Sequence, residues 1–189
     1  QGSPNLTDTI IIEVYEGVYG GFVISPSAIG ANSSYRLIIR AKAGHNVILS
    51  GTVTSPALGH GNALVGIGIG DNNSYITIRG IRIENFHKGI VASASCHNLI
   101  VSSCFITRCS NVGIWIHRSE RCQVLNSVVL DSDNCIVLME VNDSTLIGND
   151  VVNITRVPSS SGIRTCLYIT TKRPLSYAPA GTIVLINNN

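Results

Sequence analysis

Charge is what this sequence has least of. Only 13% of its 189 residues are charged, and lysine occurs three times. The net charge is +2 with no run of Lys or Arg, which excludes the continuous basic surface that nucleic acid requires. No apolar run approaches the roughly 18 residues of a membrane helix, so no membrane span is expected. The chain contains no C-x-x-C pair, and His45, His60, His87, His97 and His117 are scattered without ligand spacing. No metal site and no other cofactor is therefore expected. No Ser, His and Asp set forms a nucleophilic constellation.

What is abundant is apolar residues, 44% of the chain, with Asn, Ser, Gly and Thr supplying most of the rest. They repeat. Ile76-Thr-Ile78-Arg-Gly-Ile81-Arg-Ile83 is followed by Leu99-Ile-Val101-Ser-Ser-Cys104-Phe-Ile106. Then come Gln123-Val-Leu125-Asn-Ser-Val128-Val-Leu130 and Thr145-Leu-Ile147-Gly-Asn-Asp150-Val-Val152. These segments lie 23, 24 and 22 residues apart. Period-two alternation indicates strands. Breaks at Gly80, Ser103, Ser127 and Asn149 turn the chain between them. Shorter elements follow at Gly89-Ile-Val-Ala92, Gly113-Ile-Trp-Ile116 and Cys135-Ile-Val-Leu138, with a fourth at Leu167-Tyr-Ile-Thr170. A β-sandwich has short strands too, but it does not return one pattern at a fixed period. The reading is an all-β parallel β-helix, a solenoid of 22–24 residues per regular rung.

The N-terminal part extends the array through Thr9–Val14, Phe22–Ile24, Tyr35–Ile39 and Val47–Leu49. A loop bulges out at Thr54–Asn62, and Gly181–Ile186 starts a last rung. About seven rungs result, forming a single β-helix domain over residues 1–189. No capping helix is visible at either end, so the solenoid is expected to be uncapped or cut from a longer chain.

The segments "IIIEVYEGVYGGFVI", "LIIRAKAGHNVILSG" and "SYITIRGIRIENFHKGI" resemble secreted right-handed parallel β-helix proteins of the pectin-lyase-like superfamily. The resemblance covers nearly the whole chain and implies the right hand, in line with the rule for parallel crossovers. It implies no single function, because that superfamily holds polysaccharide lyases, hydrolases, esterases, adhesins and surface proteins. A catalytic member would be a polysaccharide lyase or glycoside hydrolase, using stacked carboxylates that hold Ca²⁺ or act in pairs. No acidic ladder is found here. Asp131 and Asp133 share one turn, and Glu84 falls in line with Thr107 and Asp131. Arg79, Arg82, Arg118 and Arg121 read as solvated turn charges. No catalytic residue is assigned, and the sequence weighs against an enzyme.

If the first set of each strand faces the core, the alternate set faces out. The outward residues are then Ile100, Val124 and Leu146 on one face, Phe105, Val129 and Val151 on the next, and Val91, Trp115, Val137 and Tyr168 on the third. Such apolar exposure calls for cover by a neighbouring molecule, or for a ligand. The leading expectation is a non-catalytic extracellular structural protein that self-assembles through these faces and its open ends into a fibre, sheath or surface layer. Its partner is itself. The alternative is a polysaccharide-binding or polysaccharide-lyase-type domain, with Trp115 and Tyr168 stacking on sugar rings. An adhesin module is a third reading.

The six cysteines fit an oxidising compartment. Cys96 with Cys122, and Cys109 with Cys135, are expected as disulfides between stacked positions, with a ladder of buried free thiols as the equal alternative. Cys104 reads as a buried apolar residue, and Cys166 is left without a partner, free to link subunits. Candidate glycosylation sites are Asn5, Asn32, Asn72, Asn142 and Asn153. The chain opens on Gln1-Gly2-Ser3-Pro4, as after removal of a signal peptide or as the scar of an expression tag. An extracellular or cell-surface location is expected.

Overall fold

The computed structural model describes residues 7–25, 31–51, 64–152, 165–170 and 183–186. The Thr54–Asn62 loop falls among the residues not described, as do Gly181, His60, Asn5 and Asn153. The strands form three parallel sheets. The first holds β1 (Ile10–Val14), β4 (Leu37–Ala41), β7 (Ile76–Arg79), β10 (Ile100–Ser102), β13 (Gln123–Leu125), β16 (Ser144–Ile147) and β19 (Ile183–Ile186). The second holds β2 (Gly17–Tyr19), β5 (Val47–Ser50), β8 (Arg82–Glu84), β11 (Phe105–Thr107), β14 (Val128–Leu130) and β17 (Asp150–Val152). The third holds β3 (Phe22–Ile24), β6 (Val65–Ile69), β9 (Lys88–Ala92), β12 (Val112–His117), β15 (Asn134–Met139) and β18 (Thr165–Ile169). Each circuit visits all three sheets once, and each strand pairs with its counterpart in the next rung. This is the parallel β-helix the repeat implies.

The core is a set of like-on-like columns. Ile39, Ile78, Val101, Val124 and Leu146 stack along the first sheet. Leu49, Ile83, Ile106, Val129 and Val151 stack along the second. Ile67, Ile90, Ile114, Ile136 and Leu167 stack along the third. Branched side chains suit a pleated surface packed on one face, and each fully buried one contributes about 1.5–3 kcal/mol.

These columns correct part of the outward assignment. Val124, Val129 and Leu146 are at most 1% exposed, and Val151 packs against the core. The cause is a slip of one residue. The step from Leu99 lands on Cys122, not on Gln123, since Val101 pairs with Val124. A one-residue slip moves every side chain of a strand to the opposite face. Both alternating sets are apolar here, so hydropathy alone could not choose between them. The outward apolar residues of these strands are instead Leu125, Val128, Leu130 and Ile147. Ile100, Phe105, Trp115, Val137 and Tyr168 face outward as expected.

The corners explain the recurrent Ser and Asn. The first corner turns on one left-handed residue per rung: Gly80 (φ 70°), Ser103 (φ 52°), Asn126 (φ 47°) and Gly148 (φ 63°). In the last two rungs this lies one residue before the expected breaks at Ser127 and Asn149. In the later rungs the residue after the turn, Ser127 or Asn149, points inward and satisfies a backbone amide that no sheet ladder reaches. Ser127 Oγ accepts the Cys104 N–H at 3.2 Å and donates to the Leu125 carbonyl at 3.0 Å. Ser119, Ser132 and Ser144 do the same for Cys96, Cys109 and Cys122. In the next rung Asn149 Oδ1 accepts the Ser127 N–H, and its amide donates to the Val124 carbonyl. Replacing Ser127 with Ala leaves the buried Cys104 N–H unsatisfied. The expected loss is about 1–3 kcal/mol, read as a lower urea midpoint with unchanged slope.

Candidate ligand-binding face

The outward side of the third sheet carries the clearest site. Strand register places Val91, Trp115, Val137 and Tyr168 in one column. A hollow of about 440 Å³ opens beside it, with Trp115, Val137, Met139 and Tyr168 as apolar lining and Lys88, Asn111 and Asn134 as polar lining. A second, of about 290 Å³, lies on the other side of Trp115 against Asp71, Val91, Ser93 and His117. The indole therefore stands as a ridge between two depressions. The His117 ring stacks beside it with centroids 6.0 Å apart.

Two features mark the ridge. Trp115 Nε1 is buried and finds no acceptor among the described residues. Indole N–H groups usually find a partner when buried. The Lys88 ammonium sits 4.3 Å from the Trp115 ring centroid, a cation–π contact. Among the described residues it has no carboxylate partner within ion-pair distance. The polar rim is held by its neighbours. Asn134 donates through Nδ2 to the Asn111 carbonyl at 3.2 Å. Asn111 Nδ2 lies 3.1 Å from His87 Nε2, and His87 Nδ1 lies 3.0 Å from Ser110 Oγ. Burial, and secondarily the Lys88 charge, hold the His87 pKa below its ordinary value, so the ring is neutral at pH 7 and above. Apolar walls with a few convergent polar groups are the usual make-up of a small-ligand site.

The other singled-out groups lie elsewhere. Glu84 stacks on Thr107 as expected, but the next residue in its column is Leu130, not Asp131. Its carboxylate takes ion pairs from Arg82 at 2.9 Å and Arg108 at 3.0 Å. Arg118 pairs with Glu140, and Arg121 with Glu120. His45 Nδ1 and His97 Nδ1 accept the backbone N–H groups of Glu16 and Glu120. Among the described residues no three His, Cys, Asp or Glu side chains gather as metal ligands do. Of the glycosylation candidates, Asn72 is exposed, Asn32 accepts the Ser34 and Tyr35 amides, and Asn142 is half-buried.

The expected cysteine pairs are not in stacked positions. Cys96 stacks on Ser119 and Cys109 on Ser132, each three residues short of the intended partner. All six cysteines are free thiols, five of them buried. Burial pushes the Cys104 thiol up to about 11 and the Cys122 thiol to about 12, against an ordinary value of 9.0. A thiol raised in this way stabilises the fold fully below pH 9. Above it the unfolded chain ionises first, and the contribution is lost as pH climbs towards the folded value. The urea midpoint should therefore fall between pH 9 and about 11, and fall less in Cys104→Ala. An equal fall in both proteins would contradict this assignment.

A family model described as right handed beta helix region matches residues 11–174. Comparison with curated proteins and with solved structures returned no match.

Proposed function

We propose that this chain, which belongs to the right-handed beta helix family, is a non-catalytic polysaccharide-binding protein of the cell exterior, with its ligand laid across the Trp115 ridge. The observation that carries the reading is Trp115 and Tyr168 in one column beside the hollow, with a Lys88 ammonium at its edge that has no carboxylate partner among the described residues. The C–H face of a sugar ring is weakly electropositive and suits the negative face of Trp115 or Tyr168. Sugar hydroxyls suit the Asn111 and Asn134 amides. Lys88 favours a carboxylate, so acidic sugar units are preferred. Hydrolysis on such a fold needs two carboxyl groups flanking the scissile bond, and the lining of the larger hollow holds none. The extracellular setting draws its support from the superfamily resemblance and the sequons.

The test is native gel electrophoresis through matrices containing neutral or uronate-bearing polysaccharides. Retardation is expected, strongest in a uronate polymer, with no shortening of the polymer. Unchanged mobility in every matrix would contradict the reading.

A second reading keeps the self-assembling surface protein. The outward Leu125, Val128, Leu130 and Ile147 favour it. Its mark would be a mass that grows with concentration in light scattering, or ordered filaments in negative stain, with no polysaccharide present.

A further inference from the structure

One column of the third sheet changes character along the solenoid. The register stacks Gly21, Gly66, Gly89, Gly113, Cys135 and Cys166. The glycines are required by close approach: a Cβ at Gly66 would lie 2.7 Å from the Gly89 carbonyl, and one at Gly113 would lie 2.7 Å from the Cys135 carbonyl. In the last two rungs cysteine replaces glycine. Asn134 pairs with Thr165 and Ile136 with Leu167, so Cys135 and Cys166 are direct in-register neighbours. Such neighbours are about 4.8 Å apart, within the roughly 4.4–6.8 Å Cα separation of disulfides. None of the other four cysteines stacks on a cysteine: their partners in the following rung are Ser119, Ser127, Ser132 and Ser144.

We propose that Cys135 and Cys166 form a reversible disulfide that staples β15 to β18. Cys166 is exposed and Cys135 is buried, which assigns their roles. Cys166, as thiolate, attacks one sulfur of a low-molecular-weight disulfide such as glutathione disulfide. That S–S bond breaks and one glutathione leaves as thiolate. Cys135 gives up its proton and attacks the Cys166 sulfur of the mixed disulfide, expelling the second glutathione. Two protein thiols are oxidised to one disulfide, and one glutathione disulfide is reduced to two glutathione thiols. The bridge would fix the rung carrying Tyr168 onto the rung carrying Val137, but it does not depend on any ligand.

The test uses the full chain, first reduced and then equilibrated with glutathione disulfide until its thiol content is constant. Thiols are counted after denaturation, and unreduced peptides are mapped by mass spectrometry. The count should fall by two from the six cysteines of the sequence, with residues 135 and 166 in one cross-linked peptide and full recovery under reductant. Cys166→Ser should lose none of its remaining thiols. A wild-type count that does not fall would overturn the proposal. So would a link between other cysteines, or a dimer joined through Cys166.

Discussion

Gly113→Val should unfold the chain or come close to it. A side chain at this position drives into the Val129 side chain and the Cys135 carbonyl. Neither can yield: Val129 is fully enclosed, and the carbonyl belongs to a strand paired on both sides. Overpacking alone costs about 1–3 kcal/mol. Here the two rungs must also separate, so the loss should exceed about 3 kcal/mol, a large share of a domain's stability. Gln123→Thr, on an exposed outward position, should stay within about 0.5 kcal/mol of the parent. Urea unfolding of both variants compares them directly. A Gly113→Val protein with a parental midpoint would mean that the column is not packed as described.

The second large effect falls on binding. Trp115→Ala removes the ridge between the two hollows without touching the core, since Ile114 and Ile116 supply the inward contacts of β12. Loss of a central aromatic contact commonly costs about 2 kcal/mol, which is roughly thirtyfold in Kd. Retention by a uronate polymer should drop accordingly while the urea midpoint holds. Lys88→Met should behave differently. It should weaken binding to uronate polymers and remove the salt dependence of that binding, with little change for neutral ones. If Trp115→Ala instead dissolved filaments and left polysaccharide retention intact, the self-assembly reading would stand in its place.

The repeat was legible because each rung spells it. Gly89-Ile, Gly113-Ile and Cys135-Ile mark one position three times, and Ile114 and Ile136 duly stack on Ile90. The outward column of Val91, Trp115 and Val137 followed from the same alignment, and Tyr168 joins it because Leu167 pairs with Ile136. The slip at Gln123 arose where hydropathy is uninformative, because Val124 and Leu125 are equally apolar. The signal that resolves it is the small polar residue just after each corner. Cys104 must meet Ser127, a step of 23 residues, for its amide to be satisfied.

The rest of the site was hidden for a different reason. Lys88, Asn111 and Asn134 stand at strand starts and in a turn, where a lone polar residue looks like any other. Only the parallel stack brings them to one rim. Cys166 could have been found. Cys166-Leu repeats the Gly113-Ile and Cys135-Ile pattern, but it lies 31 residues on where the earlier step is 22, and the longer segment broke the count.

The most direct test of the binding face is optical. Trp115 is the only tryptophan in the chain, so its emission reports on the ridge alone. The reduced protein should be titrated with soluble uronate oligosaccharides at low salt. A saturable blue shift or quench, weakened by added salt and matched by retention on the polymer, is the expected result. Emission that stays constant while the polymer still retains the protein would place the ligand elsewhere on the solenoid and contradict the assignment of this face.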